Sequence, residues 1–135
     1  MRKPGGGMLA LDTNILVRFT TRDDRVQSPQ ARTLILSGPT FIADTVMLET
    51  ERVLRSLYGF PQTRIITALR DLAGIEGVTL ENPARIAEAL NVAESGLDFA
   101  DALHLAHAAQ CDAFVTFDKT LIRAARGGAL PIRAP

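Results

Sequence analysis

The sequence predicts an α/β fold: a central, mostly parallel sheet of four to five strands with helices on both faces. Two observations carry this expectation. Short apolar runs of strand character alternate along the chain with longer stretches of helical spacing. Strands separated by helices call for right-handed crossovers, which produce a parallel sheet covered on both sides. In addition, 135 residues of which 47% are hydrophobic suit one domain with one core.

The elements follow in order. After the glycine-rich opening "MRKPGGGM", expected to be a flexible extension over 1–7, the folded domain is expected over 8–135. "MLALD" (8–12) is a short apolar strand expected to be buried, and Thr13 to Phe19 form a short helix. "RDDRVQ" is a charged loop. "SPQARTLILSG" (28–38) carries helix punctuation, with Ser28 as N-cap, Pro29 at the first helical position and Gly38 past the end. "TFIAD" (40–44) is the second strand. Helices over 45–59 and 62–74 then make a hairpin across Phe60–Pro61. "GVTLE" (77–81) is the third strand, and a helix from Asn82–Pro83 runs to Ser95–Gly96. A helix over 98–110, a strand over 112–118 and a helix over 119–126 follow, and "ALPIR" ends the chain as a short edge strand.

Composition excludes several classes. Fifteen basic residues balance fifteen acidic ones, so no global charge advertises nucleic acid. The basic set is lopsided, with only Lys3 and Lys119 beside 13 arginines; arginine suits phosphate forks, and GC-rich coding produces the same bias. The single cysteine, Cys111, allows no disulfide framework, which fits a reducing cytoplasm; burial is expected for it. No apolar run is long enough for a membrane span. The opening lacks the apolar core of a signal peptide.

Four carboxylates stand out by position. Asp12 and Asp118 follow strands, while Glu49 and Asp101 lie early in helices. In a parallel sheet, strand ends and the starts of the helices that follow lie along one edge, where ligands bind. Crowded like charges are unfavourable unless protons or a cation neutralise them. Hard oxygen ligands suit Mg²⁺ or Mn²⁺, and such an ion acidifies a bound water and stabilises charge on a phosphodiester. Each acid also has a plainer reading. Asp12 and Asp118 suit turns or N-caps, and Asp98 and Asp101 suit the positive end of a helix dipole. Glu51 faces Arg55 at i, i+4 as a solvated ion pair, which leaves Glu49 as the better ligand. His104 and His107, three apart on one helix, fit surface or packing roles better than zinc ligation. "GGG" at 5–7 lacks the lysine of a phosphate loop.

Together "LDTNIL", "LETERVLRS", "DFADALHLAHA" and "FVTFDK" resemble the PIN domain, and most closely the VapC-type toxins of prokaryotic toxin–antitoxin modules. The resemblance runs from Met8 to the end in the family's order. It implies a three-layer α/β/α fold and an endoribonuclease for single-stranded or structured RNA, dependent on Mg²⁺ or Mn²⁺. The family's acidic quartet falls on Asp12, Glu49, Asp101 and Asp118. Its small polar residues match Thr13, Asn14 and Thr116, and Asp98 is an accessory candidate. The resemblance further implies a homodimer and a cognate antitoxin, for which the arginine-rich hairpin at 45–74 is a docking surface. Arg18, Arg22 and Arg123 are candidate phosphate anchors.

Two other readings compete. A Mg²⁺-dependent phosphatase or phosphotransferase of the haloacid dehalogenase type also begins with an acid after its first strand. It requires a second acid two positions on, where this chain has Asn14. A two-component receiver domain lacks the same support, and a non-catalytic binding module leaves the complete quartet without a role.

Overall fold

The computed structural model describes residues 7–135; apart from Gly7, the expected extension over 1–7 lies outside the described residues. The chain is mixed α/β and divides into two compact units, Met1–Pro83 and Ala84–Pro135.

The first unit alternates strands and helices. It runs β1 (Leu9–Ala10), α1 (Thr13–Thr21), α2 (Gln27–Ser37), β2 (Thr40–Ile42), α3 (Asp44–Ser56), α4 (Gln62–Gly74) and β3 (Val78–Leu80). The strands form one parallel sheet in the order β1-β2-β3, with Leu9 opposite Thr40 and Thr40 opposite Val78. Helix α1 packs on α2 and α3, and α4 packs on α3 and β3. The inward faces meet in a core that includes Leu16, Ile35, Ile42, Met47, Leu54 and Leu69. These apolar positions recur at helical and strand spacing, as burial of one face requires.

The second unit holds α5 (Pro83–Glu94, its first residue closing the first unit), α6 (Phe99–His107), β4 (Phe114–Val115), α7 (Lys119–Ala124) and β5 (Ile132–Arg133). Its buried side chains include Ile86, Leu90, Phe99, Leu103 and Leu121. β4 and β5 pair in parallel, and the Phe114 and Thr116 amides donate to Pro131 and Arg133 carbonyls at 2.8 and 3.0 Å. "ALPIR" is therefore an edge strand, as expected.

Several expectations need correcting. Among the described residues the strands pair as a parallel set of three and a parallel set of two rather than in one sheet. They are two or three residues long, so each forms few ladder bonds, and those β4 makes go to β5. β1 is not buried; Leu9 is 46% exposed. Ser28 does not cap α2 but sits buried inside it. The N-cap position is Val26, which has no side-chain cap; Asp24, two residues earlier, accepts from the Val26 and Gln27 amides at 2.9 and 2.7 Å. These two bonds, Gln27 foremost, hold the Asp24 carboxyl below its ordinary range. Cys111 is exposed, because the helix expected through 110 ends at His107 and a polar turn follows.

Candidate active site

Asp12 closes the first strand region and opens α1. Its Oδ1 accepts from the Thr13 amide at 2.7 Å, so it is the N-cap of that helix. The residue is exposed, so the desolvation cost expected for a charge at a buried strand end does not arise. The cap and ligand readings are compatible, since a carboxylate has two oxygens and several lone pairs, and this bond uses one.

Glu49 lies in the second turn of α3 and lines, with Asp12, Thr13 and Asn14, an open cleft of about 420 Å³. Contrary to expectation it has a basic neighbour. Arg52 donates through Nε and Nη2 to its two oxygens at 3.3 and 3.2 Å. Both side chains are largely exposed, so this pair is weak and easily exchanged. Glu51 is the reverse case. It was expected on a solvated face, yet it is 2% exposed. One oxygen takes the Arg55 Nε at 2.9 Å, and Oε1 is buried without a hydrogen bond. It belongs to the interior of α3, because four residues back along the helix lies the core residue Met47.

Arg18, one turn beyond Asn14 on α1, lines the same cleft. It donates to Gln27 Oε1 at 2.9 Å, to Asp23 Oδ1 at 3.2 Å and to the Tyr58 hydroxyl at 3.1 Å. Tyr58 in turn donates to Asp23 Oδ2 at 2.7 Å. The hydrogen bond to Tyr58, then the charge of Asp23, raises Arg18 above its ordinary value. Tyr58 escaped sequence reasoning. It follows the C-terminal end of α3 with no periodic signal, although it is the only tyrosine in the chain.

The second unit carries the other acids. Asp98 caps α6, its Oδ2 accepting from the Asp101 amide at 3.4 Å. Asp118 caps α7 by accepting from the Leu121 amide at 3.0 Å, and its own amide donates to Thr116 Oγ1 at 3.0 Å. Asp101, in the first turn of α6, titrates above its ordinary 3.8; partial burial is the largest cause, followed by the charges of Asp98 and Asp118, with His104 opposing. Asp98 and Asp118 are thus both close enough for their charges to reach Asp101. His104 and His107 are exposed, in keeping with a surface role.

The structure therefore places Asp12 with Glu49, Thr13 and Asn14 in one cleft of the first unit, and Asp98, Asp101 and Asp118 together in the second. Among the described residues, no three His, Cys, Asp or Glu side chains converge as a closed metal cage does. The donors are nevertheless of the hard oxygen type that suits ions which keep much of their water and bind through one or two carboxylates. Repulsion at Asp101 is the condition a cation relieves.

A comparison with curated proteins gave no match. The PIN domain model matches residues 9–127, nearly the whole chain, and the chain therefore belongs to the PIN domain family, whose members are in general metal-dependent nucleases.

Proposed function

We propose that the protein is an endoribonuclease for single-stranded RNA, acting with Mg²⁺ or Mn²⁺ as the toxin of a toxin–antitoxin pair. The observation that carries this reading is the PIN domain match over residues 9–127, together with an open cleft in the first unit lined by Asp12 and Glu49 and, in the second, an Asp101 that feels the charges of Asp98 and Asp118. The family match spans both compact units, which supports treating 8–135 as one working domain.

Asp12 and Glu49 of the first unit and Asp101 and Asp118 of the second are the carboxylates that would hold metal, which when bound supplies positive charge to a scissile phosphate and acidifies a water. The protein's own groups do the rest. The caps at Asp12 and Asp118 fix those carboxylates on rigid helix starts, so little reorganisation is needed when a cation arrives. Thr116 holds the backbone of Asp118. Arg18, oriented by Gln27, Asp23 and Tyr58, offers its guanidinium to a phosphate oxygen along the cleft. Asp98 is an accessory that sets the charge on Asp101. The antitoxin would dock on the α3–α4 hairpin, and the toxin would work as a homodimer in the cytoplasm; among the described residues no helix is long and apolar enough to cross a membrane.

The test is cleavage of single-stranded RNA by pure protein with Mg²⁺ or with EDTA, beside Asp12→Asn and Asp101→Asn. The expected outcome is metal-dependent cleavage that falls by about 10²-fold or more in either variant. Absence of metal-dependent cleavage by antitoxin-free protein, or equal cleavage by the variants, overturns the reading.

A further inference from the structure

The first unit carries a second concave region that the acids do not use. A cleft of about 440 Å³ lies against α1 and α2, lined by Phe19, Arg22, Arg25, Ser28 and Arg32. A second cleft of about 220 Å³ shares Phe19 and Arg22 with it and continues to Phe60 and Arg64 on the α4 side. The two form one groove with Phe19 at its middle.

Arginines predominate in its lining, which also includes Asp24 and Asp71. Arg22, Arg25 and Arg32 make no ion pair with an acidic side chain among the described residues. Asp24, the acid between them, accepts from the Val26 and Gln27 amides through Oδ1. The Arg64 guanidinium carbon lies over the Phe60 ring, 3.7 Å from its centroid, a cation–π pair on which a base can stack in turn. Unpaired arginines interleaved with aromatic rings are the two components of a surface that tracks single-stranded nucleic acid, the arginines taking phosphates and the flat groups taking bases.

We propose that this groove is a track for single-stranded RNA, holding phosphates at Arg22, Arg25 and Arg32 and stacking bases on Phe19 and the Arg64–Phe60 pair. The proposal rests on the ribonuclease reading for its choice of ligand. Position supports it as well. The acidic cleft uses the first half of α1, from Thr13 to Arg18, and the groove uses its last turn. At about 1.5 Å per residue, α1 separates Asp12 from Arg22 by roughly 15 Å, a span of a few nucleotides. An acidic peptide would satisfy the arginines but leave the flat stacking surfaces without a matching partner.

The experiment measures binding without cleavage. Fluorescence anisotropy of a labelled oligouridine of about twelve nucleotides is followed in EDTA as salt is raised, with the full chain. The Arg25→Gln/Arg32→Gln double variant is expected to bind at least about tenfold more weakly. Its slope of log affinity against log salt should be shallower by about 1.4, two phosphate contacts at about 0.7 each. The Arg25→Lys/Arg32→Lys variant keeps the charges and should restore the slope, which separates electrostatic loss from misfolding. Phe19→Leu should weaken binding with the slope unchanged. Wild-type affinity and slope in a folded double Gln variant overturn the track, as does tighter binding of an oligoglutamate of equal length. RNA binding by this pattern without metal-dependent cleavage sinks the ribonuclease reading and leaves the track standing.

Discussion

Asp101 carries the clearest cost of the site. Burial and the neighbouring Asp98 and Asp118 raise its carboxyl above 3.8, so the folded protein holds that proton more tightly than the unfolded chain does. A raised carboxylate penalises the folded state when ionised. The penalty is fully present near neutrality, fades as pH falls through the raised value, and is gone below about 3.8. Asp101→Asn should therefore melt higher than wild type at pH 7 without metal, by about 1–3 °C after allowing for solvent screening. The advantage should vanish near pH 3. Thermal melts across that range check it; a variant less stable than wild type at pH 7 would show that Asp101 is held by attractions rather than opposed by repulsion. The gain in stability and the loss of activity at one residue are two faces of the same crowding. Asp101 and Asp118 were legible in the sequence because an acid's place after a strand or early in a helix is a local signal. The burial of Glu51 was not, because i, i+4 spacing to Arg55 looks the same whether that face meets water or the core.

Helices were legible because their periods are long and their ends punctuated: α4 occupies the residues expected of it, from Gln62 to Gly74. Strand extents were not. An isolated strand of two or three residues has no stability of its own, and its length is set by partners that the local pattern does not name. The entry to the sheet depends on two glycines that sequence reasoning treated as stop signals or passed over. Gly38 has φ +48, and a Cβ there would stand 3.2 Å from Gly77 Cα and 3.4 Å from its carbonyl oxygen. That oxygen accepts from the Thr40 amide at 2.8 Å, so neither side can withdraw without losing the first rung between β2 and β3. Gly38→Ala should destabilise the protein by about 1–3 kcal/mol, measured by denaturant unfolding. A loss below about 0.5 kcal/mol would mean that the two segments separate freely.

At the scale of the molecule, the family was readable from four motifs in order, whereas the arginine groove was not. Residues 22, 25, 32 and 64 share no sequence period, and only the packing of α1 against α2 and the placement of α4 bring them around Phe19. If the acids hold a divalent ion in the folded state alone, Mg²⁺ or Mn²⁺ at about a hundred times its dissociation constant should stabilise the protein by about 2.7 kcal/mol. The rise in melting temperature should be absent in Asp12→Asn and Asp101→Asn, and an equal rise in both variants would place the ion elsewhere. One further contact has a bearing on the order of assembly. The first amide of α3, on Asp44, donates to Glu81 Oε1 at 2.9 Å, so the helix that carries Glu49 is anchored by a residue 37 positions later in the chain, just past β3. On a ribosome, α3 is complete long before Glu81 has been added. The anchor at the head of α3 therefore forms only after the third strand has been made, so the start of this helix is completed from downstream in the chain.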